Sequence, residues 1–238
     1  TRYDYQDQIF DTGYGTDQHL SVRGGNEQSN YYASLSYTLN EGIIRNTDFQ
    51  RYGARFRFNQ SVNDWASFSI GLNYNNSFSN ERPDGNVFWS PINAFNITNN
   101  IWDITQRDEL GNLQSVEPTR VNPLSVIEDF DITQSVNRAI SDFQLKLFPL
   151  KGLTIDYILG VDAYNQEGNI FIPPYPYAPV NPTYFDDGYA STANNNVFLI
   201  NNDINISYEK EISSSLVSIT KAGFSDQYSQ NAFSVAQG

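Results

Sequence analysis

Between Asn30 and Asn75 the chain alternates apolar and polar side chains through three consecutive segments of about ten residues. In the first, Tyr31, Ala33, Leu35, Tyr37 and Leu39 share one parity, and Tyr32, Ser34, Ser36, Thr38 and Asn40 the other. The second sets Tyr52, Ala54, Phe56 and Phe58 against Gly53, Arg55, Arg57 and Asn59; the third sets Ala66, Phe68, Ile70, Leu72 and Tyr74 against Ser67, Ser69, Gly71, Asn73 and Asn75. A period of two means β-strands, because successive side chains point to opposite faces. Half-buried strands of soluble domains usually run about five or six residues. Segments of about ten, apolar on one side and rich in Ser, Asn, Arg and Gly on the other, match a tilted strand that crosses a bilayer and turns its polar side to a wet or plugged lumen.

The totals agree with that pattern. Charged residues are 17%, apolar residues 39% and aromatic residues 15% of the 238-residue chain. A net charge of −13 argues against a nucleic-acid partner, which requires a basic surface. With no cysteine, disulfides and thiolate metal sites are excluded and the redox compartment stays open. No apolar run reaches the roughly 18 residues of a membrane-spanning helix. The chain starts at Thr1, lacks a signal-peptide pattern and contains no Met, so it reads as a processed product or a fragment. A fragment is expected, since about eight strands without closure leave two raw edges.

Along the chain, residues 1–17 read as loop and 18–24 as a strand, followed by a short turn at 25–29 and the three strands above. A proline- and asparagine-rich link covers 76–135. Strands resume at 137–148, with Ala139, Phe143, Leu145 and Leu147 on the apolar side, and at 153–164, with Leu153, Ile155, Tyr157, Leu159 and Val161. A second long link, 165–195, precedes a strand at 197–208 carrying Phe198, Ile200, Ile204, Ile206 and Tyr208. The last strand, 215–228, breaks phase: Val217 and Ile219 share one parity with Lys221, while Ala222 and Phe224 take the other. A bulge near Thr220 to Ala222, or residues missing there, is expected, because a lysine facing lipid costs roughly 2–4 kcal/mol at the midplane. Short links alternate with long ones, and aromatic side chains gather near both ends of the strands. Short turns on the periplasmic side and long loops outside are the pattern of an outer-membrane barrel. The fold class expected is therefore all-β: an antiparallel transmembrane β-barrel segment, residues 1–238 forming part of one barrel domain with 76–135 and 165–195 as long extracellular loops.

One stretch is more specific. The run YDYQDQIF…LSVRGG…NYY…NEGII…NTDFQRYGARFRFNQ over residues 3–75 resembles the start of the barrel in SusC/RagA-like TonB-dependent transporters of Bacteroidota. NPLSVIEDFDIT, LKGLTIDYILGVD and AGFSDQ look like later segments of that family in the same order, whereas the two long links do not match it closely. The resemblance implies a barrel of about 22 strands, a plug inside it, energy coupling through TonB, a SusD-like surface lipoprotein as partner, and import of oligosaccharides or peptides across the bacterial outer membrane. The plug has no counterpart in these residues.

Candidate chemistry is sparse. A single histidine, His19, falls on a predicted polar strand face, so neither a His-based triad nor a zinc site is expected and the chain is not read as an enzyme. Carboxylates cluster at Asp108-Glu109, at Glu128, Asp129 and Asp131, and at Asp186-Asp187. Solvated acidic loop surface explains them; Ca²⁺ held by oxygen ligands in an extracellular loop is the alternative. Arg55, Arg57, Arg138, Lys146, Asp142, Asp156 and Asp162 are expected on the lumen face, contacting plug or substrate, or pairing with one another. The binding candidates are loop aromatics: Phe88, Trp89, Phe95, Trp102, Tyr175, Tyr177, Tyr184 and Phe185. Such rings stack on sugar faces and on apolar side chains, or simply pack the loops. Two further readings stay open: a passive porin with the same strands, and a soluble carbohydrate-binding β-sandwich, which would not leave ten-residue apolar rows facing water.

Overall fold

The computed structural model describes residues 2–85, 87, 89–116, 121–174 and 187–238. In chain order its elements are α1 (Gln6–Ile9), β1 (Gly15–Gly25), β2 (Ser29–Glu41), β3 (Asp48–Asn63), β4 (Ala66–Asn80), α2 (Pro91–Ile97), α3 (Pro123–Glu128), β5 (Asp131–Leu150), β6 (Leu153–Ile172), β7 (Tyr189–Ser213) and β8 (Leu216–Gln237). The strands form one eight-stranded antiparallel sheet in which each pairs only with its neighbours in sequence, and the sheet does not close on itself. No helix among the described residues is long and apolar enough to cross a membrane.

Register converts the alternation into two continuous faces. Leu35 pairs with Ala54, Phe56 with Leu72, Ile70 with Phe143, Phe143 with Leu159, Ile155 with Ile206 and Ile204 with Phe224, so the apolar rows of all eight strands lie on one side. A one-residue slip anywhere would throw a whole row onto the other face. No second layer covers that side among the described residues: Leu20 is 73% exposed and Leu35 62%. Leaving such side chains in water forgoes about 1.5–3 kcal/mol each, and no stacked sheet of a β-sandwich recovers it. The β5–β6 turn needs its glycine: Gly152 has φ +83, and a Cβ there would sit 2.1 Å from the Glu209 carbonyl oxygen.

The expected bulge near Thr220 to Ala222 is absent. Pairing of β7 with β8 runs unbroken from Ser191↔Gln237 to Glu211↔Val217, and the register shifts only between Glu211 and Ser213, at the turn. Lys221 therefore sits opposite Ser207 on the polar face. Val217 and Ile219, opposite Glu211 and Glu209, take the polar parity beside the short turn, where the strand has left the apolar band. The unbroken register carries a different anomaly: Asp226 lands on the apolar side opposite Asn202, which also accepts a 2.9 Å hydrogen bond from the Tyr157 hydroxyl.

The strands also outrun the alternating segments. β5 begins at Asp131, β6 continues to Ile172 and β7 begins at Tyr189. The link between β4 and β5 carries α2 and α3, and the N-terminal stretch carries α1.

Candidate functional site

Among the described residues the clusters of buried apolar side chains lie at the long-link end of the sheet, not on its faces. Tyr5, Ile9, Ile104, Leu113, Val116, Leu124 and Ile127 form one cluster, with Phe10, Ile44 and Phe95 against it. Val126, Phe130 and Ile172 form a second, packed by Trp89, Val121, Ile170 and Tyr189. The N-terminal segment, the β2–β3 link and the β4–β5 link thus fold together as a cap.

Local chemistry fixes the cap. α2 and α3 each start with proline, whose missing N–H costs nothing in a first turn. The Ser90 hydroxyl accepts from the Asn93 amide, and the Asn122 side chain from the Leu124 amide at 2.8 Å. Asn122 is fully buried, and its amide nitrogen lies 2.9 Å from the carbonyl oxygens of both Ile104 and Gln114, stitching α3 to the link before it. The Tyr5 hydroxyl lies 2.7 Å and 2.8 Å from the carbonyl oxygens of Asn99 and Trp102. The Ile127 carbonyl near the end of α3 accepts from Arg82 at 2.8 Å and from Asn46 at 3.1 Å, so both strand links grip the helix. Burial pulls the Arg82 guanidinium below its usual pKa, with Asp131 opposing. Arg107 donates to Glu128 at 2.5 Å, a hydrogen bond that raises the Arg107 pKa. The Thr105 hydroxyl and amide hold the Asp103 carboxyl below its usual value, while burial raises Asp129.

Of the aromatic candidates, Trp89 packs on the second cluster, and Phe95 on the first, where its ring meets Phe10 edge-on at 5.9 Å. Trp102 is 41% exposed at the cap surface. Phe88, Tyr175, Tyr177, Tyr184 and Phe185 lie outside the described residues, as does Asp186. Among the described residues no three acidic or histidine side chains converge as a metal site.

The charged candidates share the polar face. Arg57 reaches Asp142 at 2.6 Å across the intervening β4, where the residue in register with both is Gly71. A Cβ on Gly71 would lie 2.2 Å from an Asp142 carboxylate oxygen, so the missing side chain is what leaves room for the pair. Arg138 pairs with Asp162 at 2.5 Å and 2.9 Å, its guanidinium 5.7 Å from the Tyr164 ring centre. Asp156 accepts from Gln144 at 2.8 Å. Arg55 stands over the Tyr32 ring at 5.9 Å. The spacing of charges along one strand did not single out Gly71 or Asn122, because both act on residues distant in sequence.

No family model matches the chain. It is 24% identical, over 99% of its length, to the TonB-dependent receptor SusC of Bacteroides thetaiotaomicron, and 33% identical over 70 residues to the TonB-dependent receptor P3 of Formosa agariphila. It spans 25% of the former's length and 7% of the latter's. Among solved structures it is similar over 100% of its length to 27% of a chain of the RagAB peptide transporter, with a TM-score of 0.74 and 18% identity. Against a chain of the RagAB peptide importer in a closed-closed state it covers 100% of itself and 30% of that chain, at a TM-score of 0.64 and 15% identity.

Proposed function

Taking as premise that this chain is a SusC/RagA-like segment of barrel wall, we propose that it serves a TonB-dependent importer of the bacterial outer membrane. The observation that carries this reading is the apolar face, continuous over eight strands and covered by no second layer among the described residues, opposite a polar face with cross-strand ion pairs. Lipid is the medium that makes such a face favourable. The remaining wall and a plug come from the rest of the polypeptide, and the polar face turns to the lumen.

In this reading the long links are extracellular and the folded cap is a rim element. Cargo, an oligosaccharide or a peptide, meets the rim aromatics, with Trp102 presented at the surface. A SusD-like lipoprotein covers the opening, and energy arrives through TonB at the plug. The similarity to SusC and to a protein described as a peptide transporter supports this assignment.

The test is uptake by cells carrying the full-length protein, with and without TonB. Import that stops without TonB is expected. Import that continues unchanged refutes active transport and leaves the passive porin.

A further inference from the structure

We propose that the long-loop end of the apolar band is a binding site for a membrane glycolipid, its acyl chains lying in alanine-floored grooves and its uncharged sugar headgroup against a belt of asparagine amides. The inference rests on the barrel reading above but concerns the outer, lipid-facing side of the wall.

Two adjacent rows carry it. The first runs in register through Leu35, Ala54, Tyr74, Ala139, Ala163 and Phe198. Three of these are alanine; in the next row deeper, Ala54 and Ala163 are answered by Phe56 and Val161, and Ala139 by Ser141. The small side chains leave two hollows on either side of Tyr74. One, of about 460 Å³, lies between Tyr74 and Phe198 over Ala139 and Ala163. The other, of about 600 Å³, lies over Ala54 and is bounded by Leu35 and Tyr52. Both fall within the roughly 300–1,000 Å³ usual for ligand pockets.

The second row, one step nearer the long loops on the same face, is Asn76, Asn137, Asn165 and Asn196, all in register. Their amides form two cross-strand pairs: Asn76 donates to Asn137 at 2.7 Å, and Asn165 to Asn196 at 2.8 Å. The Tyr74 hydroxyl donates to Asn137 at 3.1 Å, tying the ridge between the hollows to the belt. Each amide offers two donor hydrogens and two acceptor sites, so the belt has unused capacity for hydroxyl groups. Charge narrows the ligand. At or beyond the belt, this face of β4 to β7 has no Lys or Arg among the described residues, and the next charge outward is Glu167. A phosphate headgroup would find no counter-ion and a carboxylate nearby, while a neutral polyhydroxyl headgroup finds matched donors and acceptors. Alkyl chain below and hydroxyls above describe one amphiphile, a glycolipid.

The test uses the full-length protein extracted from outer membranes in mild detergent, with co-purifying lipids quantified by mass spectrometry. The paired variants Ala139→Leu with Ala163→Leu, and Asn137→Ala with Asn165→Ala, should each lower retained glycolipid about tenfold, a loss of about 1.4 kcal/mol, with phospholipid unchanged. Wild-type glycolipid retention in both, or loss of phospholipid instead, overturns the proposal. Should a variant fail to assemble, wild-type protein in phospholipid bilayers decides: added glycolipid must raise its unfolding temperature more than a chain-matched lipid lacking the sugar, and an equal response refutes the site. Failure of the barrel reading itself would show separately, as protein released from membranes without detergent.

Discussion

Two arginine substitutions on one strand separate the two faces most sharply. Ile158 and Val161 both lie in the middle of β6, and both are β-branched aliphatics. A hydrophobicity count treats their replacement alike. Register does not. Val161 pairs with Ser141 and Ile200 within the apolar band, whereas Ile158 pairs with Gln144 and Asp203 on the polar face. Val161→Arg places a guanidinium in lipid near mid-depth, at about 2–4 kcal/mol. Ile158→Arg places the same group beside the Asp203 carboxylate in a polar setting, where a screened pair contributes about 0–1 kcal/mol. The difference, about 2–4 kcal/mol, is a factor of roughly 30 to 1,000 in the folded fraction. Urea titration of the full-length protein in lipid vesicles, followed by heat-modifiable migration, measures both midpoints. Val161→Arg should shift its midpoint far below wild type while Ile158→Arg stays near it. Equal shifts would mean that the two faces meet the same medium, and the membrane reading would fall.

Three smaller perturbations test particular contacts. Gly71→Ala should separate Arg57 from Asp142; because both side chains are well exposed the loss is about 0.2–1 kcal/mol, and in an Asp142→Ala background the same change should be neutral or stabilising, as read from a double-mutant cycle. Asn122→Ala removes the α3 cap and takes the donor from the buried Ile104 carbonyl and the part-buried Gln114 carbonyl, at about 1–3 kcal/mol; hydrogen exchange should quicken across α3 and the adjoining link while the sheet is unaffected. The Asp103 carboxyl is held below the ordinary aspartate pKa of about 3.9 by Thr105. Its contribution is therefore complete above that value and lost as pH falls through the lowered pKa, so protection of the Thr105 amide should fade only in that acidic window and be insensitive to pH in Asp103→Asn.

Most of the sheet was legible from residue order because lipid punishes a misplaced parity. The rows headed by Leu35, Phe56, Ile70 and Leu159 needed no structure to be assigned to one face, and all keep it in the observed register. Legibility ended where the membrane does. Beyond the band neither side of a strand meets lipid, and Ile170, Ile172 and Tyr189 pack with the cap instead, so residues 131–136, 165–172 and 189–196 are strand with no alternation to reveal it. The bulge expected near Lys221 is absent for the same reason: Val217 and Ile219 are apolar, yet they lie beside the turn, where face no longer dictates polarity. The cap was hidden differently. α2 and α3 have 7 and 6 residues, too short to show a helical period, and their order comes from Asn122, Arg82 and Tyr5 reaching partners far along the chain.

The length of β7 has a geometric corollary. Its 25 residues, at about 3.3 Å each, make a rod of about 80 Å, which leaning at about 45° rises about 58 Å. A bilayer with its headgroups accounts for about 40–45 Å, so more than a nanometre of wall stands free as a parapet. A soluble visitor can lean on that ledge, and on the helices bedded behind it, without ever grazing the membrane.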